Sequence, residues 1–105
     1  METVVIPRAN ANYLNMYVER VVRLIGRVTR VEGTRAIIDS AGSITITSFT
    51  DSDVSEGHIY ELTGRVGQDM SIEMLNCYDF GTTGDLDNAN AMVELYQKNQ
   101  EFYRG

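Results

Sequence analysis

Two strand-like segments share a five-residue pattern around a central glycine, and this repetition is the strongest constraint on the fold. The segments are LIGRV at Leu24–Val28 and LTGRV at Leu62–Val66. Apolar residues alternate through both, and a period of two predicts half-buried β-strands. A glycine inside a strand weakens it unless the chain bends there or another backbone approaches closely. Two such bends predict a small closed sheet, because closure needs them.

The same alternation predicts five strands, separated by segments rich in glycine, serine and aspartate. The predicted strands are Val21–Val31, Arg35–Asp39, Ser43–Phe49, His58–Val66 and Met70–Phe80. In the last strand, simple alternation places Met70, Ile72 and Met74 on the inner face. A five-stranded, partly open barrel is the oligonucleotide/oligosaccharide-binding (OB) fold. A five-stranded barrel of another topology, or a half-sandwich, would give a similar pattern.

The first twenty residues predict an arm and a short helix. Pro7 restricts Ile6 to extended geometry, so the start of the chain is expected to lie over the domain as an extended arm. Asn10 or Asn12 can cap a short helix after it. The apolar face of that helix is expected to close one end of the barrel, and it is formed by Tyr13, Leu14, Tyr17 and Val18.

The segment Asp85–Arg104 is the strongest helix signal in the chain. Asp85 can accept hydrogen bonds from the free N–H groups of the first turn. On a helical wheel the apolar arc spans about 200°, whereas an ordinary surface helix needs a stripe of little more than about 100°. The helix therefore has more apolar surface than one neighbour covers, which predicts that it packs on other chains. The alternative is a terminal helix that lies on its own small domain, with a few scattered exposed apolar residues. The residues predicted at that interface are Leu86, Ala89, Met92, Val93, Leu95, Tyr96 and Tyr103.

These elements predict a mainly β protein: a five-stranded OB-fold barrel with a short N-terminal helix and a long C-terminal helix. A length of 105 residues fits one domain. We expect residues 1–84 to form the OB-fold domain with its arm and short helix. We expect residues 85–105 to form a C-terminal oligomerisation helix.

The distribution of charge bears on nucleic-acid binding. The net charge is −6, which argues against strong electrostatic binding by the chain alone. Residues 1–35 nevertheless hold six arginines against three glutamates. Arg23, Arg27 and Arg35 are therefore weak candidates for contact with a phosphate backbone, although arginines on the solvated side of a strand explain them equally well. Among aromatic residues, the second and third strands offer only Phe49 as a stacking platform.

Residues capable of catalysis or metal binding are scarce. His58 is the single histidine and Cys77 the single cysteine, and no neighbouring residue is expected to activate either. The sequence has no phosphate-binding glycine loop and no strong metal-ligand pattern. No apolar run is long enough for a transmembrane helix, and the start of the chain does not resemble a signal peptide. We therefore expect no catalysis, no cofactor, no metal, no small-molecule substrate and no membrane contact.

Short motifs spread over most of the chain form a further pattern. Near the start they are Pro7-Arg8, Asn12, Leu14, Val18, Val22 and Gly26-Arg27. In the middle they lie in Leu62–Val66, and at the end they are Asp85-Leu86, Asn90, Val93 and Tyr96. In their order and spacing these motifs resemble the smallest subunit of replication protein A.

The resemblance implies a nuclear, non-catalytic subunit of the heterotrimer that coats single-stranded DNA in replication, repair and recombination. It implies that the C-terminal helix joins helices of the large and middle subunits in a three-helix bundle, and that DNA is bound mostly through those partners. Leu86, Val93 and Tyr96 would lie in the bundle, with Ala89 and Met92 beside them. Two alternatives stay open: a small telomere-capping subunit paired with a larger OB-fold partner, and a stand-alone weak single-strand-binding module.

Overall fold

The computed structural model describes residues 6–48 and 54–104, with side chains described as far as Lys98. It contains five strands followed by one long helix. The strands are β1 (Val21–Glu32), β2 (Arg35–Asp39), β3 (Ser43–Thr47), β4 (Ile59–Val66) and β5 (Ile72–Asp79), and the helix is α1 (Leu86–Arg104).

The sheet closes on itself in the order β1-β2-β3-β5-β4, with β4 paired again to β1. The β3–β5 pairing is parallel and short, and the other pairings are antiparallel. The predicted mainly β architecture of five strands with a C-terminal helix is confirmed. Alternate residues of β2, β3, β4 and the first eight residues of β1 fill the interior, as the period of two predicts. The core includes Val22, Leu24, Ile38, Ile46 and Leu62.

The two patterned glycines lie where neighbouring strands approach most closely. A Cβ atom added to Gly26 would lie 2.5 Å from the carbonyl oxygen of Asp39 at the end of β2. A Cβ atom added to Gly64 would lie 2.7 Å from the carbonyl oxygen of Glu73 on β5. Glycine is needed at both positions because any side chain would overlap the backbone of the adjacent strand.

The predicted N-terminal helix is only a 3-10 turn over Leu14–Met16. The Asn10 side chain is used elsewhere: its Oδ1 accepts from the Asn12 N–H, and its Nδ2 donates to α1. Glu19 then adopts a φ of 67°, which ends helical geometry. Leu14 and Tyr17 still join the core cluster, and Pro7–Ala9 lies beside β1 through the Ala9 N–H and the Arg23 carbonyl (2.9 Å).

Four strands have bounds that differ from those predicted. β1 continues to Glu32, one residue beyond the predicted Val31, and β5 ends at Asp79, one residue before the predicted Phe80. β3 ends at Thr47 because Ser48 has a φ of 65°; the predicted last residue, Phe49, lies outside the described part of the chain. β4 begins at Ile59, one residue after His58. β5 begins at Ile72, because Met70 has a φ of 67° and lies exposed in the preceding turn instead of facing inward.

Candidate functional site on the C-terminal helix

The helix α1 begins as the sequence predicts and lies against β1. Asp85 Oδ1 accepts a hydrogen bond from the Asn88 N–H at 2.9 Å, which satisfies one free donor of the first turn. Val93 faces the barrel with 6% of its surface exposed, and Gln97 faces it with 5% exposed. Leu86 and Ala89 are half-buried. The barrel-facing side of α1 therefore includes a fully buried polar residue.

A row of polar side chains joins α1 to the segment before β1. Asn10 Nδ2 donates to Asn90 Oδ1 at 3.1 Å, and the Tyr13 hydroxyl donates to Glu94 Oε2. Gln97 Nε2 donates to the Tyr17 hydroxyl at 3.0 Å. We call these three pairs, Asn10–Asn90, Tyr13–Glu94 and Tyr17–Gln97, the polar ladder.

The polar ladder includes the most buried polar groups of the contact. Asn10 has no exposed surface, and Tyr17 and Gln97 are also buried. Gln97 Nε2 donates in addition to the carbonyl oxygen of Arg8 at 2.8 Å. Buried polar groups are costly unless they are hydrogen-bonded. Each pair, or rung, of the polar ladder is therefore favourable only when both side chains are placed to hydrogen-bond with each other.

Two large apolar side chains of α1 are exposed outside its main contact with the barrel. Met92 is 55% exposed and Leu95 is 61% exposed, and we call these two residues the outward pair. Tyr96 is half-buried beside them. The side chain of Tyr103, also predicted at the interface, lies outside the described residues. The predicted interface residues are thus divided between two surfaces, with Val93 packed on its own barrel and the outward pair facing solvent.

A small cavity of about 30 Å³ lies between α1 and the barrel. Its apolar lining includes Ile25, Ala89 and Met92, and Arg23 and Glu61 also line it. Arg23 Nε is fully buried and has no hydrogen-bond partner among the described residues. The predicted nucleic-acid candidate Arg23 therefore lies half-buried beneath α1.

The other two arginine candidates lie apart from Arg23. Arg27 Nη1 donates to the carbonyl oxygens of Gly57 (2.8 Å) and Thr82 (3.1 Å), so its guanidinium fastens the segment that leads into α1. Arg35 is exposed on β2 and lines an open cavity of about 230 Å³ between β3 and the β4–β5 loop. The structure therefore does not bring the three arginines together into one basic surface.

The cavity beside Arg35 is polar and carries a carboxylate. Its lining includes the side chains of Thr45, Thr47 and Asp69. Hydrogen bonds from the Ser71 side chain and backbone hold the pKa of Asp69 below its usual value. Asp69 is therefore ionised at neutral pH, and it opposes binding of a phosphate at this position.

The single histidine of the chain contacts a carboxylate. His58 Nδ1 lies 3.0 Å from Asp79 Oδ2, while Cys77 is half-buried on β5 opposite Leu62. Within residues 6–48 and 54–104, no group of three or more metal-binding side chains comes together. No helix in the described part of the chain is long and apolar enough to span a membrane.

An exposed aromatic pair at the end of β5, with one residue on the strand and one just after it, was not predicted. The rings of Tyr78 and Phe80 lie 4.9 Å apart between centroids, and both are exposed. Simple alternation from Ile72 would turn these residues inward. The pairing of β5 with β4 shifts between Asn76 and Met74, so Leu75 forms a bulge and the residues after it change face. A bulge inside a short apolar strand leaves no clear sequence signal.

The fold and the helix define a class: a single five-stranded OB-fold barrel with a long C-terminal helix that exposes apolar residues. A family model described as replication factor A protein 3 matches residues 1–103. The chain belongs to this family.

Two relatives and one more distant structure illustrate the match. The chain is 36% identical over 92 residues to replication factor A protein 3 of Schizosaccharomyces pombe, covering 88% of this chain and 82% of that protein. It is similar to a chain in the structure of U. maydis replication protein A bound to single-stranded DNA, with a TM-score of 0.81, 30% identity and coverage of 90% and 91%. It also matches telomere capping protein Ten1 from Saccharomyces pombe, with a TM-score of 0.73, 21% identity and coverage of 90% and 99%. The last likeness concerns the fold alone.

Proposed function

We propose that this chain is a non-catalytic assembly subunit of the heterotrimeric replication protein A complex. It joins the large and middle subunits through α1, and the complex binds single-stranded DNA in replication, repair and recombination. Its place of action is the nucleus. Membership of the replication factor A protein 3 family supports this role, as does the likeness to a replication protein A structure bound to single-stranded DNA.

The exposed outward pair is the observation that carries the proposal. Met92 and Leu95 lie three positions apart on α1, so they follow one side of the helix. Large apolar side chains at this spacing match how an amphipathic helix meets another helix. Residues 85–105 form the oligomerisation element, and residues 1–84 form the OB-fold domain that carries it.

The arrangement of arginines supports DNA binding mostly through the partners. Arg23 lies beneath α1 and Arg27 is bound to backbone carbonyls, so Arg35 alone of the three faces open solvent near the β2–β3 surface. That surface is where an OB fold binds oligonucleotides. Strands β2 and β3 carry no aromatic side chain for stacking, which single-strand binding modules use.

Affinity capture with two baits tests the proposal. The full chain and a chain ending at Gly84 are used on a lysate of the source organism, and captured proteins are identified by mass spectrometry. We expect the full chain to capture the large and middle subunits of replication protein A and the shortened chain to lose both.

Other outcomes contradict the proposal in different ways. Capture of one larger OB-fold telomere protein, with no replication subunit, would instead support a telomere-capping role. Equal capture by the two baits would contradict assembly through α1. Failure of both baits to capture any subunit would leave the stand-alone binding module as the better account, and salt-dependent binding of single-stranded DNA by the isolated chain would then support it.

A further inference from the structure

The side of α1 that meets the barrel is not the most apolar side of the helix. On a helical wheel at about 100° per residue, the two buried residues Val93 and Gln97 mark the direction that faces the barrel. The centre of the apolar arc lies about 60° away from that direction. The arc is formed by Leu86, Ala89, Met92, Val93 and Tyr96. Burial of apolar surface alone would turn the helix toward Met92. The observed orientation instead leaves Met92 and Leu95 in solvent.

The polar ladder lies on the side of α1 that holds this rotation. Asn90, Glu94 and Gln97 are spaced four and three positions apart, so they form one stripe along the helix. Their partners Asn10 and Tyr17 are fixed by the arm and the core, and every rung joins residues about eighty positions apart in sequence. A roll of the helix breaks the rungs and leaves the buried Asn10 Nδ2 without its acceptor on α1, and a buried donor without a partner carries the full cost of desolvation.

The other side of the α1 contact is loosely packed. The cavity of about 30 Å³ lies there, between Ala89 and Met92 of the helix and Ile25 of the barrel. Rolling α1 toward this cavity would bring Met92 over the apolar atoms that line it. The sequence therefore supports two orientations, one favoured by the polar ladder and one favoured by apolar burial.

We infer that the polar ladder is a positioning device that holds α1 in the orientation that keeps Met92 exposed for partners beside Leu95. Asn90 and Gln97 are the positioning residues that α1 contributes to the two outer pairs of the ladder. Without the ladder, α1 rolls and covers part of its own partner-binding surface. The inference rests on the proposed function for the identity of the partners, whereas the roll is a property of the free chain.

Thiol labelling of the free chain measures the roll directly. A Met92→Cys substitution places a reporter at the position that the roll carries toward the cavity. Cys77 serves as an internal reference, because both thiols are read separately by peptide mass spectrometry. Into this chain the ladder variant Asn90→Ala plus Gln97→Ala is introduced. If the rolled state becomes populated to about two thirds, labelling at position 92 slows about threefold.

The control variant is Asp87→Ala plus Lys98→Ala, which alters two polar residues that are exposed on α1. We expect it to leave labelling at position 92 unchanged. Unchanged or faster labelling in the ladder variant, with Cys77 as slow as before, would overturn the inference, because it would mean that α1 detaches or stays in place. If Cys77 labelling shows that the ladder variant unfolds, Tyr17→Phe replaces it. This change removes one hydroxyl, and a failure to slow labelling at position 92 would overturn the inference equally.

Partner affinity gives a second, quantitative readout. The ladder variant without the reporter thiol is titrated with the co-purified large and middle subunits. The apparent dissociation constant should rise by the same factor, about threefold, because both measurements report the fraction of chains with the surface exposed. Slower labelling with no partner binding even by the unaltered chain would contradict the proposed function and leave the roll intact. A ladder variant that labels slowly yet binds partners normally would contradict the positioning role.

Discussion

Gly64 lies where β4 approaches β5 so closely that one added methyl group has no room. A Cβ atom there would meet the Glu73 backbone oxygen at 2.7 Å and Ile72 Cγ2 at a shorter distance still. Backbone atoms in a closed barrel cannot move aside independently, because each strand is paired on both sides. A side chain at position 64 would therefore disturb closure of the whole sheet.

The Gly64→Ala substitution is expected to lower the free energy of unfolding by about 1–3 kcal/mol, the usual cost of forcing extra atoms into a packed region. Urea unfolding followed by circular dichroism measures it. Gly33→Asn is the control: Gly33 has a φ of 60°, which asparagine tolerates, and a Cβ atom added there would meet no atom within 4 Å beyond its chain neighbours. Equal stability of Gly64→Ala and the unaltered chain would show that the strands separate more easily than the structure implies.

At this scale the sequence predicted the role of the glycines but not the role of the arginines. Glycine inside an alternating strand has few explanations, and close strand approach is one of them. Arg23 alternates with apolar residues along β1, and an arginine that points into solvent shows the same sequence pattern. Its burial depends on α1, which lies about seventy positions away in sequence and covers it only in the folded chain.

At the scale of elements, the ends of β4 and β5 are held together by polar contacts. The Gly81 N–H donates to Asp79 Oδ1 at 2.7 Å, and His58 Nδ1 lies 3.0 Å from Asp79 Oδ2. The Gly81 hydrogen bond, followed by the contact with His58, holds the pKa of Asp79 below its usual value of 3.8. These contacts fasten the segment that leads from the barrel into α1.

A lowered carboxyl pKa predicts a defined pH dependence. The ionised form is favoured in the folded chain, so its contribution to stability is complete above the ordinary pKa and is lost as the pH falls through the folded value. We expect the unaltered chain to lose more unfolding free energy between about pH 5 and about pH 3 than Asp79→Asn. Parallel urea titrations at both pH values check this. Identical losses in the two proteins would contradict a role for the Asp79 carboxylate.

The existence of most elements could be predicted, but not the features that orient them. Alternation indicated five strands, with β2 at the predicted residues, and the Asp85 cap was predicted correctly. The bulge at Leu75 reverses the faces of Tyr78 and Phe80, and it arises from pairing with β4 rather than from local sequence. The polar ladder was equally hidden, since nothing in the local sequence marks Glu94 and Gln97 as partners of Tyr13 and Tyr17.

At the scale of the whole molecule, the barrel serves as a rigid base for one helix. Its interior is closed and filled with apolar side chains, and its arginines are dispersed or engaged. Two groups of apolar side chains stay exposed on the molecule: the outward pair on α1 and the ring pair Tyr78–Phe80. The sequence predicted exposed apolar surface on the helix, because an apolar arc of about 200° exceeds what one neighbour covers. That partners bind there stays a prediction. Which part faces the barrel depended on the fold.

The central claim, assembly through the outward pair, is tested most directly by native mass spectrometry of the chain co-expressed with the large and middle subunits. The unaltered chain should give a complex with one copy of each subunit. The variant Met92→Ser plus Leu95→Ser should be missing from the complex, because it removes the apolar contact while leaving the barrel and the ladder intact. The control Asp87→Ser plus Lys98→Ser, also exposed on α1, should assemble normally. A complete complex containing the Met92 and Leu95 variant would contradict the account.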